Sequence, residues 1–217
     1  MPPLSPALEA RVGVHWERAL QARPLFNGQV FCADRITSRV IEGHWTEYRR
    51  LLAQITEPAL FPLLQVRALA VCGALCSPDG VVAARREPGS VYQPGLWQLP
   101  PAGSVDAGAA TADGADWRLA LLAELGEELG LSAADVHRLR PLCLVQHPSG
   151  VLDLGVQMDT RRGAEAIHAA HRMARHGEYD RLLIAPAADL PGEVARAGGV
   201  LVPSAAHFLR RLDLGKW

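Results

Sequence analysis

Apolar positions recur every three to four residues over 7–22, with Leu8, Val12, His15/Trp16 and Ala19/Leu20 on one side, which predicts an amphipathic helix. Arg23-Pro24 ends it, because the residue before a proline disfavours helical geometry. A short strand is expected at 29–33. Residues 44–55 read as a second amphipathic helix, with Trp45, Tyr48, Leu51/Leu52 and Ile55 on one side, and Pro58 and Pro62 bracket a connection. From Val66 the pattern changes. Residues 67–77 form an apolar strand, Pro78-Asp79-Gly80 is a turn signal, and 81–86 follow as a second strand, so the pair reads as a hairpin. A Gly/Pro loop at 87–95, a short strand at 96–99 and a Gly/Ala/Asp/Pro-rich loop at 100–116 lead to a strong helix at 117–131. Strands at 138–147 and 151–159 flank the Pro148-Ser149-Gly150 turn. A helix at 164–176, a strand at 181–185 and helices at 187–197 and 204–212 complete the chain. Strands and helices alternate without a strict βαβ period, which predicts an α/β chain with a mixed sheet and helices on its faces. Residues 1–65 are too few for a large core of their own, so they are expected to form an extension that packs on a main domain of residues 66–217.

Composition narrows the partners. With 217 residues, 49% hydrophobic and 21% charged, the chain is not a disordered polymer. The 22 Lys+Arg nearly cancel 23 Asp+Glu, so the basic excess of a nonspecific nucleic-acid binder is missing and no nucleic acid is expected as partner. No apolar stretch reaches the roughly 18 residues of a membrane span, and the start lacks the basic and apolar regions of a secretory signal, so no membrane partner and a cytoplasmic location are expected. Cys32, Cys72, Cys76 and Cys143 lack the paired spacing of a zinc site and read as small apolar side chains.

The chemistry concentrates in Ala123-Glu124-Leu125-Gly126-Glu127-Glu128-Leu129-Gly130-Leu131. At about 100° per residue, with Glu124 at zero, Glu128 lies near about 40° and Glu127 near about 300°. Leu119, Leu122, Leu125 and Leu129 fall on the other side and are expected to form the core face. Three neighbouring carboxylates repel one another, and a hard divalent cation such as Mg²⁺ relieves this with oxygen coordination. A plain solvated acidic face is the competing reading.

Upstream stands Leu99-Pro100-Pro101-Ala102-Gly103-Ser104-Val105-Asp106-Ala107-Gly108. Together the two pieces resemble the box of the Nudix hydrolase superfamily, a loop–helix–loop written G-x5-E-x7-R-E-U-x-E-E-x-G-U with U bulky and apolar. Gly103 matches the opening glycine, and Glu124, Leu125, Glu127, Glu128, Gly130 and Leu131 match the second half. The sequence departs from the pattern in three places. Ala109 stands at the first Glu, Ala123 stands at the Arg that pairs with carboxylates in the family, and the loop carries about six extra residues around 111–116; Arg118 is a spatial substitute to consider for that Arg. The resemblance covers about 66–212. The N-terminal run His15-Trp16-Glu17-Arg18 through Pro24-Leu25-Phe26-Asn27-Gly28, with Glu47-Tyr48-Arg49, is similar to the extension of the UDP-glucose-hydrolysing branch.

The resemblance implies an α/β/α sandwich with a mixed sheet, preceded by a helical and strand extension. It implies a hydrolase that cleaves the pyrophosphate of a nucleoside diphosphate derivative, here a nucleotide sugar, with Mg²⁺ or Mn²⁺ as cofactor. Alternatives are a weak or inactive Nudix-fold nucleotide-binding or regulatory protein, and a coenzyme A or nucleoside triphosphate pyrophosphohydrolase. Glu124, Glu127 and Glu128 map to the metal carboxylates, and Glu127 and Glu128 are also candidates for catalysis. Glu178 is the candidate for an extra ligand or base, since a carboxylate serves as proton acceptor for water. Arg85 and Arg86 end a strand beside the box loop, where forked donors suit phosphate oxygens; strand alternation lets one of them face the site, and Gly103 completes the candidate substrate contacts. Trp97 is expected in the core, Gln146 and His147 at the surface, and His168, His171 and His176 on a solvated helix face. The N-terminal segment is open to two roles, a cap over the site or a contact in a homodimer.

Overall fold

In the computed structural model, residues 3–22, 24–90, 92–174 and 178–214 are described, and Arg23 and His176 lie outside them. The chain divides into two compact units. The first comprises residues 1–70, 104–117 and 146–152, and the second residues 71–103, 118–145 and 153–217.

The first unit opens with α1 (Pro6–Ala22), then the antiparallel hairpin β1 (Gln29–Ile36) and β2 (Ile41–Glu47), then α2 (Tyr48–Thr56). A 3-10 turn at Pro58–Leu60 and α3 (Phe61–Leu64) follow. The helix expected at 44–55 begins as strand: residues 44–47 belong to β2, with Trp45 opposite Phe31 and the two rings edge-to-face at 5.6 Å. A helical period in the sequence ran across a junction between two elements, because Trp45 and Tyr48 happen to be three apart. Val12, Val30, Cys32, Leu51, Leu60, Leu64, Val66 and Val151 form this unit's own buried cluster. The N-terminal motif residues serve its scaffold. Asn27 Nδ2 donates to Glu47 at 3.0 Å, Asn27 Oδ1 accepts from the Arg49 amide at 3.0 Å, and His15 Nε2 lies 2.8 Å from Glu57.

The second unit is built on β3 (Leu69–Ser77), β4 (Gly80–Arg86), β5 (Trp97–Gln98) and β6 (Ala102–Ser104). The short pair β7 (Ala110–Thr111) and β8 (Gly114–Ala115), which belongs to the first unit, interrupts what the sequence presents as loop, and α4 (Trp117–Leu129) follows. Then come β9 (Val136–Gln146), β10 (Leu152–Thr160), α5 (Ala164–Met173), β11 (Tyr179–Ala185), α6 (Leu190–Arg196) and α7 (Pro203–Leu209). The central sheet has the order β11-β4-β3-β10-β9, with β5 against β4 and β6 against β3. The expected hairpin is present, with Cys76 opposite Val81 and Ser77 opposite Gly80. The architecture is the expected mixed α/β fold.

Period-two alternation assigns the faces of this sheet. Val81, Ala83 and Trp97, with Ala185 opposite Val81, pack against Leu190, Val194, Ala205 and Phe208 from α6 and α7. Trp97 is 2% exposed, so it is a core residue. The opposite face carries Ala84, with Gln98 across from it, and Arg86, with Tyr179 across from it. The pairing of β11 with β4 skips at Asp180: Tyr179 stands opposite Arg86 and Arg181 opposite Arg85. Asp180 is therefore the extra residue of a β-bulge.

Helix α4 ends at Leu129 and not at Leu131. Gly130 takes the left-handed conformation at φ +66°, and its N–H donates to Gly126 O at 3.1 Å. This is a standard closure of a helix C-terminus, and glycine adopts it without steric cost.

Candidate functional site

The buried stripe of α4 is Ala120, Leu121, Leu125, Glu128 and Leu129. Leu119, expected in the core, is 48% exposed. The stripe is rotated toward the acidic side of the helix, so that one glutamate is part of it. Hydropathy patterning assigns carboxylates to solvent and cannot register such a residue. The three carboxylates consequently have different surroundings: Glu128 is 1% exposed, Glu124 is half-buried and Glu127 is exposed.

Glu128 is held from one side. Its Oε2 accepts the Ala102 amide at 2.9 Å and the Tyr179 hydroxyl at 3.0 Å. The Tyr179 oxygen in turn accepts from Gln98 Nε2. The helix backbone at the same residue is fixed by His171, whose Nδ1 lies 3.0 Å from the Glu128 carbonyl oxygen and donates to it. The other carboxylate oxygen, Oε1, is buried and has no hydrogen-bond partner among the described residues. Burial, then the neighbouring charges of Glu124 and Glu178, push the Glu128 carboxyl well above the usual carboxylate range. Burial and the adjacent Glu128 likewise push the Tyr179 phenol up, so it serves as a proton donor in hydrogen bonds.

Glu124 fills a notch at Gly103. A β-carbon at that position would overlap the Glu124 carboxyl carbon and Oε1. Gly103 is therefore a space-making residue through which β6 approaches the acidic helix. Ala123 and Arg118 are exposed. Ala109 is 1% exposed, in a 3-10 turn of the first unit.

The two arginines separate. Arg85 is engaged by Asp180, with its Nε 2.8 Å from Oδ1 and a second bond from Nη2 to Oδ2. Arg86 projects on the face of Tyr179 and Gln98. Its Nη2 is 3.7 Å from Glu178 Oε2, and its buried Nε has no hydrogen-bond partner among the described residues. Glu178 is exposed. The structure thus groups Glu124, Glu128, Gly103, Arg86 and Glu178 around the C-terminal half of α4 and the ends of β4 and β11.

Glu127 faces a different feature, a shallow groove it lines with Leu122, Gly126, Leu131 and Met173. Among the described residues, no three His, Cys, Asp or Glu side chains converge as a ready cation cage. Of the histidines, His171 supports Glu128 and His168 is half-buried. Gln146 is exposed as expected, whereas His147 is 8% exposed and so belongs to the interior of the first unit. All four cysteines are free, and burial pushes Cys76 up to about 12, in keeping with an apolar role. Among the described residues, no helix is long and apolar enough to cross a membrane.

Sequence reasoning missed Tyr179 and Gln98. They stand 51 and 30 residues from Glu128, on two strands, and only the pairing of both strands with β4 brings them to one face.

The residues present fit a divalent cation. A buried, unpartnered carboxylate oxygen stands on the same helix as a second carboxylate seated in a glycine notch, and both are hard oxygen donors of the kind Mg²⁺ and Mn²⁺ prefer.

No protein-family model matches the chain, and no curated protein gives a significant match. Solved structures do. A NUDIX hydrolase from Alicyclobacillus acidocaldarius is 16% identical, with 66% of this chain and 89% of that one covered and a TM-score of 0.51. The protein DR0079 from Deinococcus radiodurans is 17% identical, with 66% and 82% covered and a TM-score of 0.50. At these identities the likeness speaks for the fold: the chain shares the mixed α/β architecture of a Nudix hydrolase.

Proposed function

We propose that this chain is a divalent-metal-dependent Nudix pyrophosphohydrolase acting on a nucleoside diphosphate derivative, with a nucleotide sugar as its substrate class. The observation that carries the reading is the Glu128 carboxylate, buried with Oε2 accepting two hydrogen bonds and Oε1 without a partner among the described residues. A buried anionic oxygen without a partner is costly, and a cation offsets that cost. Glu128 and Glu124 would hold the ion, whereas Glu127 lines a separate groove. A bound Mg²⁺ or Mn²⁺ supplies charge neutralisation at the pyrophosphate and lowers the pKa of water.

The remaining steps belong to the protein. Arg86, whose Nε has no hydrogen-bond partner among the described residues, binds a phosphate oxygen of the substrate. Glu178, beside Arg86 and open to solvent, accepts the proton of the attacking water. The water oxygen forms a bond to phosphorus, the bridging P–O bond breaks, and its electron pair leaves with the departing phosphate. The nucleotide-sugar assignment is supported by the N-terminal run similar to the UDP-glucose branch.

A substrate panel of nucleotide sugars, coenzyme A and nucleoside triphosphates with Mg²⁺ or Mn²⁺ tests the reading. Release of a nucleoside monophosphate is expected, with Glu124→Gln and Glu128→Gln each losing most of the turnover. Wild-type turnover in both variants would refute it. One observation favours a second reading, a nucleotide-binding protein without catalysis: Ala109 and Ala123 offer no ligating or pairing group, and Glu127 faces away from Glu128. Calorimetric binding of a nucleotide sugar with no turnover under any metal would select it.

A further inference from the structure

We infer that Tyr179 is a positioning residue for the cation site: its hydroxyl, oriented by Gln98, fixes the Glu128 carboxylate so that Oε1 is presented to the ion. The inference rests on the metal-site reading above and adds to it a component from outside the acidic helix.

The geometry argues as follows. The last torsion of a glutamate is broad, so a buried carboxylate is aimed only by what holds it. Both bonds to Glu128 fall on the same oxygen, the Ala102 amide at 2.9 Å and the Tyr179 hydroxyl at 3.0 Å, and Oε1 receives none. The carboxylate is thereby fixed with one oxygen fully engaged and the other, equally buried, left without a hydrogen bond among the described residues. Ala123 has no donor to give.

The phenol is itself fixed. A hydroxyl has one proton, and its direction depends on what the oxygen accepts. Gln98 Nε2 donates to the Tyr179 oxygen, which leaves the hydroxyl proton for Glu128. Gln98 lies opposite Ala84 and Tyr179 opposite Arg86, two positions apart on β4 and hence on one face of the sheet. The sheet register sets the relay, and the helix receives it. Tyr179 is 3% exposed and Gln98 6%, so neither is placed to bind solvent or bulk ligand instead. Groups of this kind behind a metal ligand are worth about 10- to 100-fold in metal affinity.

The test measures Mn²⁺ binding by electron paramagnetic resonance on the whole chain without substrate, in wild type, Tyr179→Phe, Glu128→Gln and the double variant. Tyr179→Phe is expected to raise the Mn²⁺ dissociation constant about tenfold in the wild-type background and to have no further effect beside Glu128→Gln, the coupling expected of a residue that acts through Glu128. Gln98→Met, which removes the donor that orients the phenol, should shift Mn²⁺ binding in the same direction by less, and it serves if Tyr179→Phe does not fold. At saturating Mn²⁺ the turnover of Tyr179→Phe and of Gln98→Met should recover toward wild type, which a general loosening of the fold would not give. Unchanged Mn²⁺ affinity in Tyr179→Phe and in Gln98→Met, with a loss of tenfold or more in Glu128→Gln, overturns the inference and leaves the metal-site reading standing. Unchanged affinity in Glu128→Gln overturns the metal-site reading, and the inference with it.

Discussion

The carboxylate of Glu124 occupies the space in which a β-carbon on Gly103 would stand. The obstacle to a side chain there is the far end of a flexible glutamate, so Gly103→Ala moves Glu124 aside and leaves the fold intact. The expected outcome is a stability change within about 1 kcal/mol by urea unfolding, together with at least a tenfold loss of turnover. Wild-type turnover in Gly103→Ala would remove Glu124 from the site.

Arg85 and Arg86 are adjacent in sequence and should differ in kinetics. Arg86→Ala is expected to raise KM for a pyrophosphate substrate about tenfold, the loss of one charge-assisted contact to phosphate. Arg85→Ala releases only the partly exposed pair with Asp180 and should leave KM within about twofold, because such pairs contribute little. Steady-state kinetics on both variants decides between them, and the reverse ranking would place the phosphate on the other face of the sheet.

Burial and two neighbouring acids raise the Glu128 carboxyl well above its ordinary value. The native state then keeps this proton to higher pH than the unfolded chain does. The stability so gained is complete below the ordinary glutamate range and is lost as pH rises through the raised native value. In EDTA, the thermal midpoint of the wild type should therefore fall across this window more steeply than that of Glu128→Gln. Mn²⁺ at neutral pH should raise the wild-type midpoint and leave the variant unmoved. Parallel pH profiles in EDTA would show that Glu128 titrates as a solvated acid.

Gly130→Ala places a β-carbon on a residue at φ +66° and against the backbone carbonyl of Ala170. Neither obstacle is a movable side chain. A loss of at least about 1–2 kcal/mol is expected, read as a lower urea midpoint at constant slope. An unchanged midpoint would mean that α4 does not end in the conformation described.

Much of this arrangement is legible in the residues alone, where a local rule decides. Although the helix expected to reach 131 ends at Leu129, the hairpin at Pro78-Asp79-Gly80 and the start of that helix at Trp117 follow from turn chemistry and spacing. The helix expected at 44–55 does not, because Trp45 and Tyr48 keep a helical interval although one lies in β2 and the other in α2. The rotation of α4 is equally hidden. Leucines at 119 and 122 promise a core face, but the buried stripe includes Glu128, whose burial is compensated from another strand by Tyr179, itself held by Gln98. Arg85 and Arg86 are indistinguishable as letters. They become distinct only when Asp180 takes one of them, a matter of long-range register.

That register turns on one surplus amino acid. Were the ladder between β11 and β4 to run on without its skip, Asp180 would stand across from Arg86, and the phenol of Tyr179 would hang from the far side of the sheet. Removing a single position from the start of this strand, or adding one, would therefore be felt some way off as the loss of what holds the Glu128 carboxylate. An insertion or deletion there is a more severe event for this chain than many substitutions inside its acidic helix.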